Sequence, residues 1–242
     1  MRLWGRKPHE ETKVKLPPGT WDFHAHILPG VDDGLRTYEE ADAAIIALMD
    51  LGYAGLVLTP HIYPEVFANT EESLRTAFAT FQTHVGTRIK LKLAAEYFVH
   101  EAMLPKIARQ EILWVQAGVH KLVLVEFPVV MAPPRGMEIL TALRVAGYQP
   151  VLAHIERYRY VQQQLDQWLA QLRQAEIWVQ CDLGSLVGQY GREPQKAAQR
   201  LYADDRVDIW GTDLHRVEQV ERYMGPALTI CTERRRLNAS LE

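Results

Sequence analysis

His24 and His26 stand one residue apart in "TWDFHAHILPGVDDG", residues 20–34, with Asp32 and Asp33 a few positions further on. On an extended strand, residues i and i+2 project to the same face, so these two imidazoles can grip one ion while Ala25 points the other way. Similar donors recur along the chain: His61 in "LTPH", Glu96 in "AAEY", Glu126 in "LVEFP", His154 in "LAHIE", and Asp213 with His215 in "GTDLH". The loop "VDDG" adds a carboxylate from Asp33 or Asp32, with Gly34 permitting the turn; Asp32 serves equally as a turn or capping residue.

Any one of these residues has an ordinary structural use. Together they do not, because burying several carboxylates and imidazoles costs several kcal/mol per unpaired charge unless cations neutralise them. A hydrolytic ion takes roughly three or four protein ligands and keeps a position open. The candidates His24, His26, Asp33, His61, Glu96, Glu126, His154, Asp213 and His215 therefore imply two or three divalent ions. Imidazole and carboxylate donors without cysteine suit manganese, iron or zinc.

The elements that must position these donors alternate in type. "WDFHAHI" reads as a strand and residues 37–51 as a helix with Ala41, Ala44, Ile45, Leu48 and Met49 on one face. The strand "GLVLTPH" follows, then the helix "TEESLRTAFATFQTHV" with Thr70 as its cap. After the strand "IKLKLAAEY" come a hairpin segment "EILWVQAGVH" and the strand "KLVLVEFP". A helix around 136–146 leads to "QPVLAHIE", one near 161–175 to "IWVQCDLG", and one near 194–203 to "VDIWGTDLH". Seven βα-type units predict an α/β chain with a parallel sheet closed as a distorted (β/α)7 barrel. The donors sit at the C-terminal ends of successive strands, the face where barrels converge their reactive groups. Of nine histidines, five occupy such ends; His9, His84, His100 and His120 do not.

Composition excludes several classes. Twenty-seven basic against thirty acidic residues leave no broad electrostatic footprint for nucleic acid. No apolar run has the length of a signal peptide or of a membrane span, so the expected location is cytoplasmic, without direct membrane insertion. Residues 1–19 read as a flexible leader ending in Pro17-Pro18-Gly19, residues 20–242 as one domain, and "ERRRLNASLE" as a solvated helical end. A cysteine phosphatase needs a C-x5-R loop, but Val187 and Leu237 stand six residues after Cys181 and Cys231. Both thiols are expected to be structural.

In order, "DFHAHILPGVDDG", "LTPH", "AAEYF", "LVEFP", "LAHIERY", "GSLVGQYG" and "GTDLH" closely resemble the bacterial metal-dependent protein-tyrosine phosphatases of the PHP (polymerase and histidinol phosphatase) superfamily. The resemblance covers about residues 20–216 and implies a PHP barrel holding a trinuclear centre, usually with manganese. By that resemblance His24, His26, Glu96 and Asp213 would hold one ion, Glu96, Glu126 and His154 a second, and Asp33, His61 and His215 a third. Arg157 in "HIERY" matches the family's substrate-phosphate arginine. The family often ends its final motif D-A-H-N with a second arginine beyond; here "DLHRVEQVERY" offers Arg216 and Arg222 without a clear match.

The implied reaction is hydrolysis of phosphotyrosine by direct attack of a metal-bridging hydroxide, with Arg157 sharing the phosphoryl charge and Asp33 a candidate to assist the leaving phenolate. The implied partner is a phosphotyrosine protein, the tail of a tyrosine autokinase controlling capsule or exopolysaccharide synthesis, which would bring the enzyme to the inner membrane peripherally. No oligomeric state is assigned. Two rival readings are a small-molecule phosphoesterase such as a histidinol phosphatase and a non-catalytic kinase-binding scaffold. Tyr97, Phe98, Tyr158 and Tyr160 are candidates for walls around a phenol ring, with core packing the equal alternative.

Overall fold

The computed structural model describes residues 16–231. Its strands are β1 (Trp21–Ala25), β2 (Gly55–Leu58), β3 (His61–Ile62), β4 (Lys90–Leu93), β5 (Glu96–Phe98), β6 (Val115–Ala117), β7 (His120–Glu126), β8 (Gln149–Leu152), β9 (Trp178–Asp182) and β10 (Ile209–Gly211). β2 and β3 are halves of one path broken at Thr59-Pro60, and β4 and β5 of another broken at Ala94-Ala95. Their registers continue across the breaks, Leu58 opposite Leu93 and His61 opposite Glu96. Counted this way, seven parallel paths run in the order β1, β2/β3, β4/β5, β7, β8, β9, β10. The last path returns beside the first: Ala25 bridges Leu214, the Asp213 N–H donates to the His24 carbonyl at 2.8 Å, and the His26 N–H donates to the Leu214 carbonyl at 2.9 Å. β6 is the antiparallel arm of the expected hairpin with β7.

Two apolar layers follow from the strand alternation. Trp21, Phe23, Val57, Leu122, Leu124, Val151 and Ile209 pack together inside the barrel. Their alternates, including Ala25, Leu58, Val123, Leu152 and Cys181, pack outward against the helices. These helices are α1 (Tyr38–Leu51), α2 (Glu71–Val85), α3 (Met103–Ala108), α4 (Gly136–Val145), α5 (Arg159–Gln163), α6 (Leu165–Gln174), α7 (Arg192–Ala203) and α8 (Gly225–Cys231). Thr37 and Thr70 both close capping boxes, with Glu40 and Ser73 as the reciprocal partners.

Some boundaries differ from expectation. The helix expected near 161–175 is two helices, α5 and α6, because the backbone leaves helical geometry at Gln164 (φ −138°, ψ 43°). The short α3 carries only Met103 and Ile107 inward, too few apolar positions to register as a periodic stripe. At the leader's end, Leu16 is buried and donates its N–H to the Leu51 carbonyl at 2.9 Å, so residues 16–19 belong to the folded body. The rest of the leader and the C-terminal charge run lie outside the described residues. Cys181 and Cys231 are free and buried, and burial pushes the Cys231 thiol up to about 12, which makes it unreactive at neutral pH. Among the described residues no helix is long and apolar enough to cross a membrane.

Candidate metal centre

A local irregularity delivers the first two donors. Strict alternation from Trp21 and Phe23, which face the barrel interior, would send His24 out to the helices. The pairing of β1 with β2 slips between Asp22 and Ala25, the alternation resets, and both His24 and His26 reach the mouth. Their Nε2 atoms lie 3.1 Å apart. His24 Nε2 is 3.2 Å from Glu96 Oε2 and 3.3 Å from Asp213 Oδ1; His26 Nε2 is 3.3 Å from each of the same oxygens.

The remaining donors arrive from the neighbouring paths. Because His61 and Glu96 are register partners on β3 and β5, His61 Nδ1 lies 3.3 Å from Glu96 Oε2, and it also lies 3.2 Å from Glu126 Oε1 at the end of β7. His154, just past β8, places Nε2 2.8 Å from Glu96 Oε1 and 3.8 Å from Glu126 Oε2. Asp33 Oδ1 lies 3.5 Å from His61 Nε2 and 3.4 Å from His215 Nε2. Three overlapping groups result: His24, His26, Glu96 and Asp213; His61, Glu96 and Glu126; and His26, Asp33, His61 and His215. Eight of the nine sequence-predicted donors fall in these groups, with His26, His61 and Glu96 each belonging to two, and the ninth, His154, meets Glu96 and Glu126 at the same mouth. Compared with the partition implied by the resemblance, His61 joins the Glu96–Glu126 group and His26 faces two groups.

Two of these residues sit in backbone conformations that L-residues rarely adopt: His154 at φ +30° and Asp213 at φ +48°. Such strain persists only where the surroundings over-determine it. The His154 N–H is held by Gln180 Oε1 at 2.7 Å, and the Asp213 N–H by the His24 carbonyl.

Burial and charge argue for cations. Glu96 Oε2, His61 Nδ1 and His154 Nδ1 are buried with no hydrogen-bond partner. Glu96 Oε2 facing the nitrogens of His24, His26 and His61 is costly to leave orphaned, and a divalent ion there would satisfy that oxygen and His61 Nδ1. Burial alone would lower His24, but Glu96 and Asp213 override it and hold the imidazole up at about 9. Against the opposing effect of burial, the surrounding histidines keep the Glu96 and Asp213 carboxyls well below the usual carboxylate range. The residues therefore fit a metal centre of imidazole and carboxylate donors.

The two aspartates of "VDDG" have separate roles. Asp32 is fully buried; its Oδ2 accepts from His26 Nδ1 at 2.9 Å and from the His61 N–H at 3.0 Å, while Oδ1 accepts from the Gly34 N–H at 2.9 Å. Asp33 is 55% exposed and faces His61 and His215. A hydrogen bond with His215 lowers the Asp33 carboxyl, which suits a ligand better than a proton donor. Gly34 is required by space: a Cβ there would lie 2.1 Å from the His26 carbonyl oxygen.

Arg157, in a 3-10 turn after β8, reaches the same mouth. Its Nη1 donates to Asp213 Oδ2 at 2.6 Å and approaches Asp182 Oδ2 at 3.4 Å, and its guanidinium lies 4.2 Å above the Tyr190 ring. Arg216 Nη1 donates to the carbonyls of Asp33, Gly34 and His215 and ties the two ligand loops together. Arg222 is exposed, its guanidinium 5.2 Å from its neighbour Tyr223's ring, and belongs to none of the three groups. Tyr97 and Tyr158 are core posts, their hydroxyls bonded to the backbone N–H groups of Leu113 and Phe127. Tyr160 packs on Tyr158 and Trp168, whereas Phe98 stacks on Tyr63 at 3.8 Å.

Gln180, Asp182 and Tyr190 were not anticipated. Gln180 Oε1 accepts from His24 Nδ1 at 3.2 Å, its amide donates to Asp182 Oδ1 at 2.8 Å, and the Tyr190 hydroxyl donates to Asp213 Oδ2 at 3.0 Å. Gln180 and Asp182 repeat on β9 the i, i+2 spacing that flagged His24 and His26, so the same reading of "VQCD" would have found them.

A parallel barrel with imidazole and carboxylate donors crowded at its mouth defines the chain as a distorted (β/α)7 barrel with a candidate metal centre. More particularly, it belongs to the family described as capsular polysaccharide synthesis, CpsB/CapC, which it matches over residues 20–238. Among its relatives, tyrosine-protein phosphatase YwqE of Bacillus subtilis (strain 168) is 26% identical over 212 residues, spanning 86% of this chain and 82% of that one. Tyrosine-protein phosphatase CpsB of Streptococcus pneumoniae is 24% identical over 221 residues, spanning 88% and 90%. The fold is shared with a chain from the crystal structures of YwqE and CpsB, described as unique metal-dependent tyrosine phosphatases: TM-score 0.77, 22% identity, 91% of this chain and 89% of that one. It is shared more distantly with the putative histidinol phosphatase HisK of Listeria monocytogenes, at TM-score 0.53, 10% identity, and 84% and 97% coverage.

Proposed function

We propose that this chain is a metal-dependent protein-tyrosine phosphatase whose substrate is a phosphotyrosine protein, the tail of a tyrosine autokinase in capsule or exopolysaccharide synthesis. The observation that carries the reading is the single mouth in which three donor groups share His26, His61 and Glu96 while Arg157 stands at its edge. The family's link to capsular polysaccharide and the names of its relatives support the substrate class.

His24, His26, Glu96 and Asp213 would hold one divalent ion, Glu96, Glu126, His61 and His154 a second, and Asp33, His61, His26 and His215 a third, with manganese the proposed metal. When bound, such ions supply an activated water near neutral pH and positive charge for the phosphoryl oxygens. The protein's own residues do the rest. Arg157 offers a guanidinium fork matched to phosphate geometry, and Asp213 aims it, one oxygen on the arginine and the other on the histidines. Asp32, Gln180 and Asp182 fix the rings and the arginine so that little reorganisation accompanies the reaction. Phenolate leaves readily, so the reaction asks little of Asp33 as a proton donor and leaves it free to act as a ligand. Recruitment of the enzyme to the inner membrane would follow from its substrate.

The test is phosphate release from a phosphotyrosine peptide and from histidinol phosphate, with added Mn2+ or after chelation, in wild type and His24→Ala. Metal-dependent peptide turnover lost in the variant is expected. Preference for histidinol phosphate would transfer the chain to the small-molecule branch, and no turnover of either would favour the scaffold reading.

A further inference from the structure

We propose that the cleft beside Arg157 binds an anionic group on the substrate polypeptide next to its phosphotyrosine, with Arg159 and Arg192 as the recognising side chains; this rests on the phosphatase reading above. The cleft measures about 720 Å3 and is lined by Arg157 and Tyr190 at the metal mouth together with Arg159, Gln162, Gln163, Arg192 and Glu193. A polypeptide whose phosphate reaches Arg157 therefore lays its neighbouring residues along this lining.

Most of the charge in the cleft is already committed. Arg157 is held by Asp213 and Asp182, and Glu193 is paired with Lys196 at 2.8 Å. Arg159 and Arg192 are exposed, and among the described residues neither has a carboxylate partner. Other surface arginines are neutralised in part: Arg88 by Asp42, Arg144 by Glu176, Arg200 and Arg206 by Asp166. What sets Arg159 and Arg192 apart is their place: both line one cleft with Arg157 and Tyr190 of the metal mouth.

Their positions are also fixed by backbone. The Arg159 N–H donates to the Val129 carbonyl at 3.0 Å, and Arg192 opens α7 behind Gly191, which offers no side-chain cap to the first amides. The helix start adds partial positive charge to the same wall. Guanidinium forks bind carboxylate and phosphate equally well in geometry, so the ligand is either an Asp or Glu flanking the phosphotyrosine or a second phosphotyrosine.

The experiment compares three phosphotyrosine peptides that differ only in their flanks: neutral, Asp/Glu-containing, or carrying a second phosphotyrosine. Initial phosphate release gives kcat and KM for the Mn2+-loaded full chain. Two exposed ion pairs of ordinary strength predict a kcat/KM about three- to tenfold higher for an anionic flank than for the neutral one, chiefly through KM. The arm with the larger gain identifies the anion. In Arg159→Gln/Arg192→Gln the preference should fall towards unity, and the double Lys variant should restore part of it. Unchanged metal content confirms that the variants are folded. Equal kcat/KM on all three wild-type peptides, or a preference that survives the double Gln variant, overturns the proposal while leaving the phosphatase reading intact. No turnover even of the neutral peptide brings down both.

Discussion

His26 donates Nδ1–H to Asp32 Oδ2 at 2.9 Å while its Nε2 faces Glu96 and Asp213. One ring nitrogen is thereby assigned to the protein and the other left for a cation. Outer carboxylates of this kind typically contribute about 10–100-fold in metal affinity. Asp32→Ala should weaken Mn2+ binding by about that factor, and Asp32→Asn, which keeps an oxygen for the backbone N–H groups, should lose less. Chelator competition measures both; an affinity within about twofold of wild type in Asp32→Ala would mean that packing alone orients His26.

Glu96 is the hub of the site. One oxygen faces His24, His26 and His61, and the other meets His154 at 2.8 Å. Glu96→Gln keeps the shape and removes the charge, so the variant should retain fewer metal ions per chain and lose about a hundredfold or more in turnover of a phosphotyrosine peptide. Elemental analysis after gel filtration reads the first quantity directly. Full metal content in the variant would show that Glu96 is not a shared ligand.

Metal binding should expel protons. Without metal, burial would lower His24, but Glu96 and Asp213 raise it to about 9, so at pH 7.5 this imidazole is protonated and cannot ligate. Affinity for Mn2+ should therefore rise with pH through the range below 9, by about tenfold per unit for each proton released. Titration in buffers of different ionisation enthalpy counts those protons. An affinity independent of pH below 9 would contradict the charge state assigned to His24.

Eight of the nine candidate donors could be picked out in the sequence because each lies at or near the end of a strand in a repeating βα pattern, where position carries the information, and Asp33 came from the loop after the first strand. What the sequence hid depends on contacts between distant segments. Nothing in "VDDG" says that Asp32 turns inward beneath His26 while Asp33 remains exposed; the bonds of the Asp32 carboxylate to His26 Nδ1 and the distant His61 N–H decide it. Nor does the sequence show that Arg216 Nη1 donates to the carbonyls of Asp33 and Gly34, in a loop about 180 residues earlier. The β1 slip is likewise silent in "WDFHAH", whose plain alternation would have put Phe23 and His24 on opposite faces.

Outside the site, Thr70→Ala removes the hydroxyl that accepts from the Ser73 N–H at 3.1 Å and opens the capping box of α2. The expected loss is about 1 kcal/mol, or roughly 2–4 °C in Tm for a chain of this size. Differential scanning fluorimetry checks it, with metal content unchanged. A loss of metal in this variant would mean that α2 is coupled to the mouth.

Asp213 serves two partners, with Oδ1 towards His24 and His26 and Oδ2 accepting from Arg157 and from the Tyr190 hydroxyl. Tyr190→Phe keeps the ring beneath the Arg157 guanidinium and removes only the hydroxyl. A hydrogen bond to a charged group contributes about 1.5–3 kcal/mol, and part of that loss is recovered by Arg157 closing on Asp213. The Ki for inorganic phosphate should therefore rise about three- to tenfold, with kcat changing less than KM. Tyr190→Leu also removes the cation–π contact, which contributes about 0.5–2 kcal/mol, and should raise Ki further. Equal Ki values for wild type and both variants would show that the carboxylates of Asp213 and Asp182 position Arg157 without help from the tyrosine.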